Sequence, residues 1–149
     1  MDTLILGIGN PILTDDGVGI KVAQKLKEEK TELTVTETNE AGIALLDLIV
    51  GYNKLIIIDS IKTEEREPGD LYKLELGDLK PVKDYSSSHG IGIATAFELG
   101  QKMGYNLPKL VSIYAVNIKD NSTFGDNCTE EIKERIPFIV RQIIEEERL

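Results

Sequence analysis

The chain has 149 residues, 41% of them hydrophobic, and carries 26 acidic against 17 basic side chains for a formal charge of -9. That length suits one compact domain with its own core, and the negative field repels a phosphate backbone, which argues against nucleic acid as a partner. One cysteine, Cys128, excludes an internal disulfide; with no signal segment and no apolar run near the ~20 residues of a membrane helix, the expectation is a cytoplasmic protein without membrane contact.

Thr3 to Ile8 is almost wholly aliphatic, the pattern of a parallel strand covered on both faces. From about Asp16 to Lys30, Val18, Val22, Ala23 and Leu26 recur at helical spacing opposite a charged face, which predicts an amphipathic helix. Leu33 to Glu37 alternates apolar and polar residues as a more exposed strand, and a short helix follows over about Ala41 to Val50. Lys54 to Ile58 repeats the aliphatic signature and Asp59 closes it. Pro68-Gly69 makes a turn before an alternating strand, Asp70 to Leu76, which follows too soon for a helical crossover and is therefore antiparallel to its neighbour. Residues 77–88 read as irregular.

After His89, the positions Ile93, Phe97, Gly100 and Met103 mark one face of a helix that ends at a left-handed cap, Gly104. A strand over Lys109 to Val116 comes next. The last helix starts near Thr129, whose hydroxyl is placed to accept from free amides, and Pro137 is expected to kink or split it. These elements predict a three-layer α/β domain over residues 1–149, with a mostly parallel five-stranded mixed sheet and helices on both faces.

The sharpest functional signal is Gly7 to Gly19, GIGNPILTDDGVG, a glycine-punctuated turn that delivers Asp15 and Asp16 to the start of a helix. In an open α/β sheet, ligands sit outside the carboxyl ends of the strands. Asn10 and the Asp15-Asp16 pair, Glu37 and Asn39, Asp59 and His89 all fall at that edge. Carboxylates and an imidazole meeting there have the donor chemistry of a metal site.

Each of these residues also has an ordinary reading. Asp16 can cap the first helix, worth ~1 kcal/mol, a role for which Asp15 is better suited. Asp59 can belong to a turn, and a lone histidine is usually structural. The glycines lack the third position of a dinucleotide fingerprint, and no phosphate-binding GK[ST] follows. Cys128 has only His89 as an imidazole base, and a triad using Ser86, Ser87 or Ser88 has no supporting motif.

GIGNPILTDDGVG, the segment Ile56 to Ile61 and the SSHG segment around His89 occur in this order, and together they resemble the nickel–iron hydrogenase maturation endopeptidases over most of the chain. The resemblance implies a protease that removes a C-terminal extension from a hydrogenase large-subunit precursor after nickel insertion. It implies nickel supplied by that precursor, with Asp16, Asp59 and His89 as both metal ligands and catalytic residues. Many members carry glutamate where this chain has Asp16. Relatives often have aspartate and glycines after the second strand, whereas this chain has Glu37-Thr38-Asn39-Glu40 before Ala41-Gly42, so Glu37 enters only as a candidate. The metal then acts first as a recognition element. Whether it also polarises the scissile carbonyl or activates water stays open, as does a general-base role for Asp16 or Asp59. Two other readings use the same edge: a non-catalytic module binding a nucleotide, flavin or partner protein, and a nickel-delivery scaffold.

Overall fold

The computed structural model describes residues 2–40, 42–79 and 88–149, and for residues 79 and 88–91 the backbone alone. Strands β1 (Thr3–Ile8), β2 (Thr34–Thr38), β3 (Lys54–Ile61), β4 (Leu71–Leu74) and β5 (Leu110–Asn117) form one sheet in the order β2-β1-β3-β5-β4. β2, β1, β3 and β5 are mutually parallel, and β4 runs antiparallel along β5. The expected mixed sheet is therefore observed. The short link before β4 does prevent a parallel crossover, but β4's partner is the later strand β5.

Helices α1 (Val18–Glu29), α2 (Leu46–Ile49), α3 (Ser88–Lys102) and α4 (Glu130–Glu147) complete the layers. Strand alternation sorts the apolar side chains into two cores. Ile5, Ile56, Ile58, Tyr114 and Val116 pack against α1 and α4, while Leu4, Leu6, Leu55, Ile57 and Ile113 pack against α2 and α3. Both faces of the central strands are buried, which is why β1 and β3 are aliphatic rather than alternating. No helix among the described residues is long and apolar enough to cross a membrane.

Three local expectations change. β3 continues through Asp59 and Ser60 to Ile61, because β5 pairs with it as far as Asn117; Asp59 is therefore inside the strand. The predicted helix over 41–50 is a 3-10 turn, Gly42–Leu45, leading into the single turn α2. Pro137 does not split α4, which runs unbroken for 18 residues. Pro137 lies on the exposed side, so the Lys133 carbonyl that loses its donor can turn to water. Gly104 takes the expected left-handed conformation at φ 75°, and the amides of Gly104 and Tyr105 close onto the carbonyls of Gln101 and Gly100.

At the amino-terminal edge of the sheet, α4 is tied down by polar contacts. Glu147 is buried and pairs with Lys54 at 2.7 Å, and the buried Tyr114 hydroxyl donates to it. Burial opposes ionisation of Glu147, but Lys54 and the Tyr114 hydroxyl outweigh it and hold the carboxyl below its ordinary range. Burial and the same glutamate push the Tyr114 phenol up.

Candidate functional site

The chain leaves β1 to one side for β2 and returns past it to β3, so strand order reverses between β1 and β3. At that point β3 outruns its neighbour. The last paired residue of β3 on the β1 side is Ile58, opposite Gly7, whereas on the β5 side pairing continues through Asp59, Ser60 and Ile61. A notch opens beyond β1, and the 3-10 turn Thr14–Gly17 fills it. Glycine is required for this fit: a Cβ on Gly9 would collide with the Asp16 carbonyl, and one on Gly19 with the Ile58 carbonyl.

Asp16 sits half-buried in the notch with a donor on each oxygen. The Asn10 amide donates to Oδ2 at 2.8 Å and the Ser60 hydroxyl donates to Oδ1 at 3.0 Å. Asp59 is 4% exposed, and its Oδ1 accepts from the Ser60 amide at 2.7 Å. Alternation places Ser60 with Ile56 and Ile58 on the α1 side, and Asp59 with Leu55 and Ile57 on the α2 and α3 side. The two carboxylates thus approach from opposite sides of the sheet end and share one intermediary. Ser60 and Asn10 were not singled out by sequence as partners of Asp16. A serine directly after the strand-end aspartate was the available signal.

Asp15 points the other way. It is fully buried and accepts from the amides of Lys119 (3.3 Å), Asp120 (3.0 Å) and Thr129 (2.7 Å) and from the Thr129 hydroxyl. It caps neither the 3-10 turn nor α1. Thr129 accordingly does not cap α4 through its own hydroxyl, which is given to Asp15 instead. The reversal between neighbours begins at Thr14, a β-branched residue at φ 49°, held by its amide to the Gly125 carbonyl and by its hydroxyl to the Thr123 carbonyl. Cys128 packs beneath this knot with its thiol toward the Thr14 carbonyl. Burial and the Asp15 carboxylate push that thiol up to about 11, which keeps it protonated at neutral pH and removes its value as a nucleophile.

Glu37 shares a register row with Gly7, Ile58 and Tyr114, which belongs to the α1 and α4 face, and it is exposed. The structure does not bring it to Asp59. The backbone of His89 lies in the first turn of α3, the helix packed on the face where Asp59 emerges. The His89 side chain, like Ser86, Ser87 and the Ser88 side chain, lies outside the described residues. Among the described residues no three His, Cys, Asp or Glu side chains assemble as a metal site. What is present is a pair of oxygen donors, Asp16 and Asp59, on a built scaffold. That pair suits a divalent cation that brings further ligands with it.

Solved structures with the same architecture include the hydrogenase maturating endopeptidase HybD of Escherichia coli, with a TM-score of 0.82 at 23% identity over 99% of this chain and 93% of that one. The nickel–iron hydrogenase maturation protease HybD of Thermococcus kodakarensis superposes with a TM-score of 0.81 at 23% identity, covering 97% and 98% of the two chains. In sequence, the hydrogenase 2 maturation protease of Escherichia coli is 26% identical over 120 residues, 78% of this chain and 73% of that protein. A Methanocaldococcus jannaschii counterpart is 32% identical over 98 residues, which span 62% of this chain and 63% of its own length. Residues 20–146 match the family model of the hydrogenase maturation proteases, and the chain belongs to that family.

Proposed function

We propose that this protein is an endopeptidase that trims the C-terminal extension from a nickel-loaded hydrogenase large-subunit precursor in the cytoplasm, with Asp16, Asp59 and His89 meeting the precursor's metal. The observation that carries this reading is the pair of carboxylates, Asp16 and Asp59, each hydrogen-bonded to Ser60 at the switch point of the sheet. Family membership supplies the substrate class. Nickel here is part of the substrate: two carboxylates and an imidazole provide part of its coordination sphere and the precursor provides the rest. Docking of the ion then orients the scissile peptide over the notch. Hydrolysis adds water across the C–N bond. A notch carboxylate can take the water proton, and the leaving nitrogen is protonated as the bond breaks. Glu37, exposed on β2 with β1 between it and β3, has no part in this scheme.

Intact mass of the precursor before and after incubation with the purified protein tests the proposal. Loss of a C-terminal fragment from the nickel-loaded form, and not from the metal-free form, is the expected result. Asp16→Ala, Asp59→Ala and His89→Ala are each expected to stay folded and to lower kcat/KM by about 10²-fold or more. Full trimming by any of them removes that residue from the scheme, and retention of the tail by the unaltered protein favours the nickel-delivery reading.

A further inference from the structure

Ser60 touches both carboxylates with different atoms. Its amide donates to Asp59 Oδ1 at 2.7 Å, and its hydroxyl donates to Asp16 Oδ1 at 3.0 Å. At 4% exposure Ser60 keeps its hydroxyl shielded from competing water. The amide is available because β3 has outrun β1: the ladder on that side stops at Ile58, so the next inward-facing donor turns to a side chain.

We propose that Ser60 is a positioning residue that fixes the orientation of Asp16 relative to Asp59, and with it the direction from which Asp16 meets an incoming cation. An aspartate has one staggered torsion and one broad terminal torsion. In Asp16 the second is pinned at both oxygens, by the Asn10 amide on Oδ2 and by the Ser60 hydroxyl on Oδ1. An ionised carboxylate only accepts, so the serine proton points at Asp16, and with the Asn10 amide on the other oxygen about one acceptor site remains on each. Without the hydroxyl, Asp16 keeps one tether and can rotate about it. Asp59, held by a backbone amide, keeps its place. The pair then loses its mutual register rather than its charge. Partners of this kind orient metal-binding groups and are worth ~10- to 100-fold in affinity.

The inference rests on the reading of Asp16 and Asp59 as cation-facing groups, so the experiment separates the two. Ni2+ is titrated calorimetrically into the unaltered protein and into Ser60→Ala, Ser60→Thr, Asp16→Asn and the Ser60→Ala/Asp16→Asn double variant, with melting temperatures measured alongside. Ser60→Ala is expected to weaken Ni2+ binding ~10- to 100-fold. Ser60→Thr, which keeps the hydroxyl, is expected to restore most of it. In the Asp16→Asn background the alanine is expected to cost nothing further, because its effect runs through Asp16. A purely structural serine would lower the melting temperature equally in both backgrounds and leave Ni2+ affinity unchanged. Unchanged affinity in Ser60→Ala, or an equal loss in both backgrounds, overturns the role of Ser60 alone. Should Asp16→Asn bind Ni2+ as tightly as the unaltered protein, or the unaltered protein not bind it at all, the parent reading falls as well. If the alanine variant does not fold, Ser60→Cys, a weak donor, takes its place with the same expected direction.

Discussion

Asp15 and Asp16 are adjacent and chemically identical, yet the fold gives them opposite surroundings. Thr14 at positive φ turns the chain so that one carboxylate enters the protein and the other faces the notch. Removing Asp15 would take a fully buried acceptor from the partly buried amides of Asp120 and Thr129 and from the Thr129 hydroxyl. Asp15→Ala is therefore expected to destabilise the protein by about 3 kcal/mol or more, against less than about 1 kcal/mol for Asp16→Ala. Urea unfolding of the two variants measures this, and equal losses would contradict the division of labour. Sequence alone separates Asp15 from the proposed ligands but gives it a helix-capping role that it does not have. A cap is a local rule read from neighbouring positions, whereas its true partners lie more than a hundred residues away. Ser60 escaped for a related reason: nothing local distinguishes a serine that ends a strand from one that bridges two acids.

Elements are most legible where burial is two-sided. β1 and β3 reveal themselves as aliphatic runs because both faces pack, and the exposed edge strand β2 as an alternation. The end of β3 was hidden, since Asp59 and Ser60 look like a turn until β5 is seen alongside them. The segment between β5 and α4 was likewise unreadable. It is ordered by polar contacts rather than by periodicity, with Asp120 accepting from the amides of Ser122 and Thr123 at 3.0 Å each. Those bonds, Ser122 first, with the charge of Lys62 added, hold the Asp120 carboxyl down to about 2 from 3.8. Since the folded value is the lower one, this turn keeps its full contribution above about pH 4 and loses it as pH falls through about 2. The amide proton shifts of Ser122 and Thr123 should titrate with a midpoint near 2. A midpoint near 3.8 would show the turn open in solution.

At the scale of the whole molecule, the two cores are opposite faces of the same strands. Neither can melt while the other stays intact, so we expect the proposed single domain to unfold in one cooperative step with equal calorimetric and van't Hoff enthalpies. A second resolved transition would divide the layers. The rule that ligands gather outside the strand ends points from sequence to the edge where Asp16 and Asp59 both bond Ser60, because it depends only on strand direction and on where the order reverses. It could not say which acids at that edge would meet, which depends on register: Asp59 and Glu37 lie on opposite faces. The unpaired flank of β3 beyond Ile58 has its own consequence. Asp59 is anchored by the continuous ladder to β5, while Asp16 rides on a turn attached by amide and hydroxyl donors, so the gap between the acids can be adjusted by altering that turn, leaving the hydrophobic layers untouched. An aspartate in place of a longer acid is a change such a mounting can absorb.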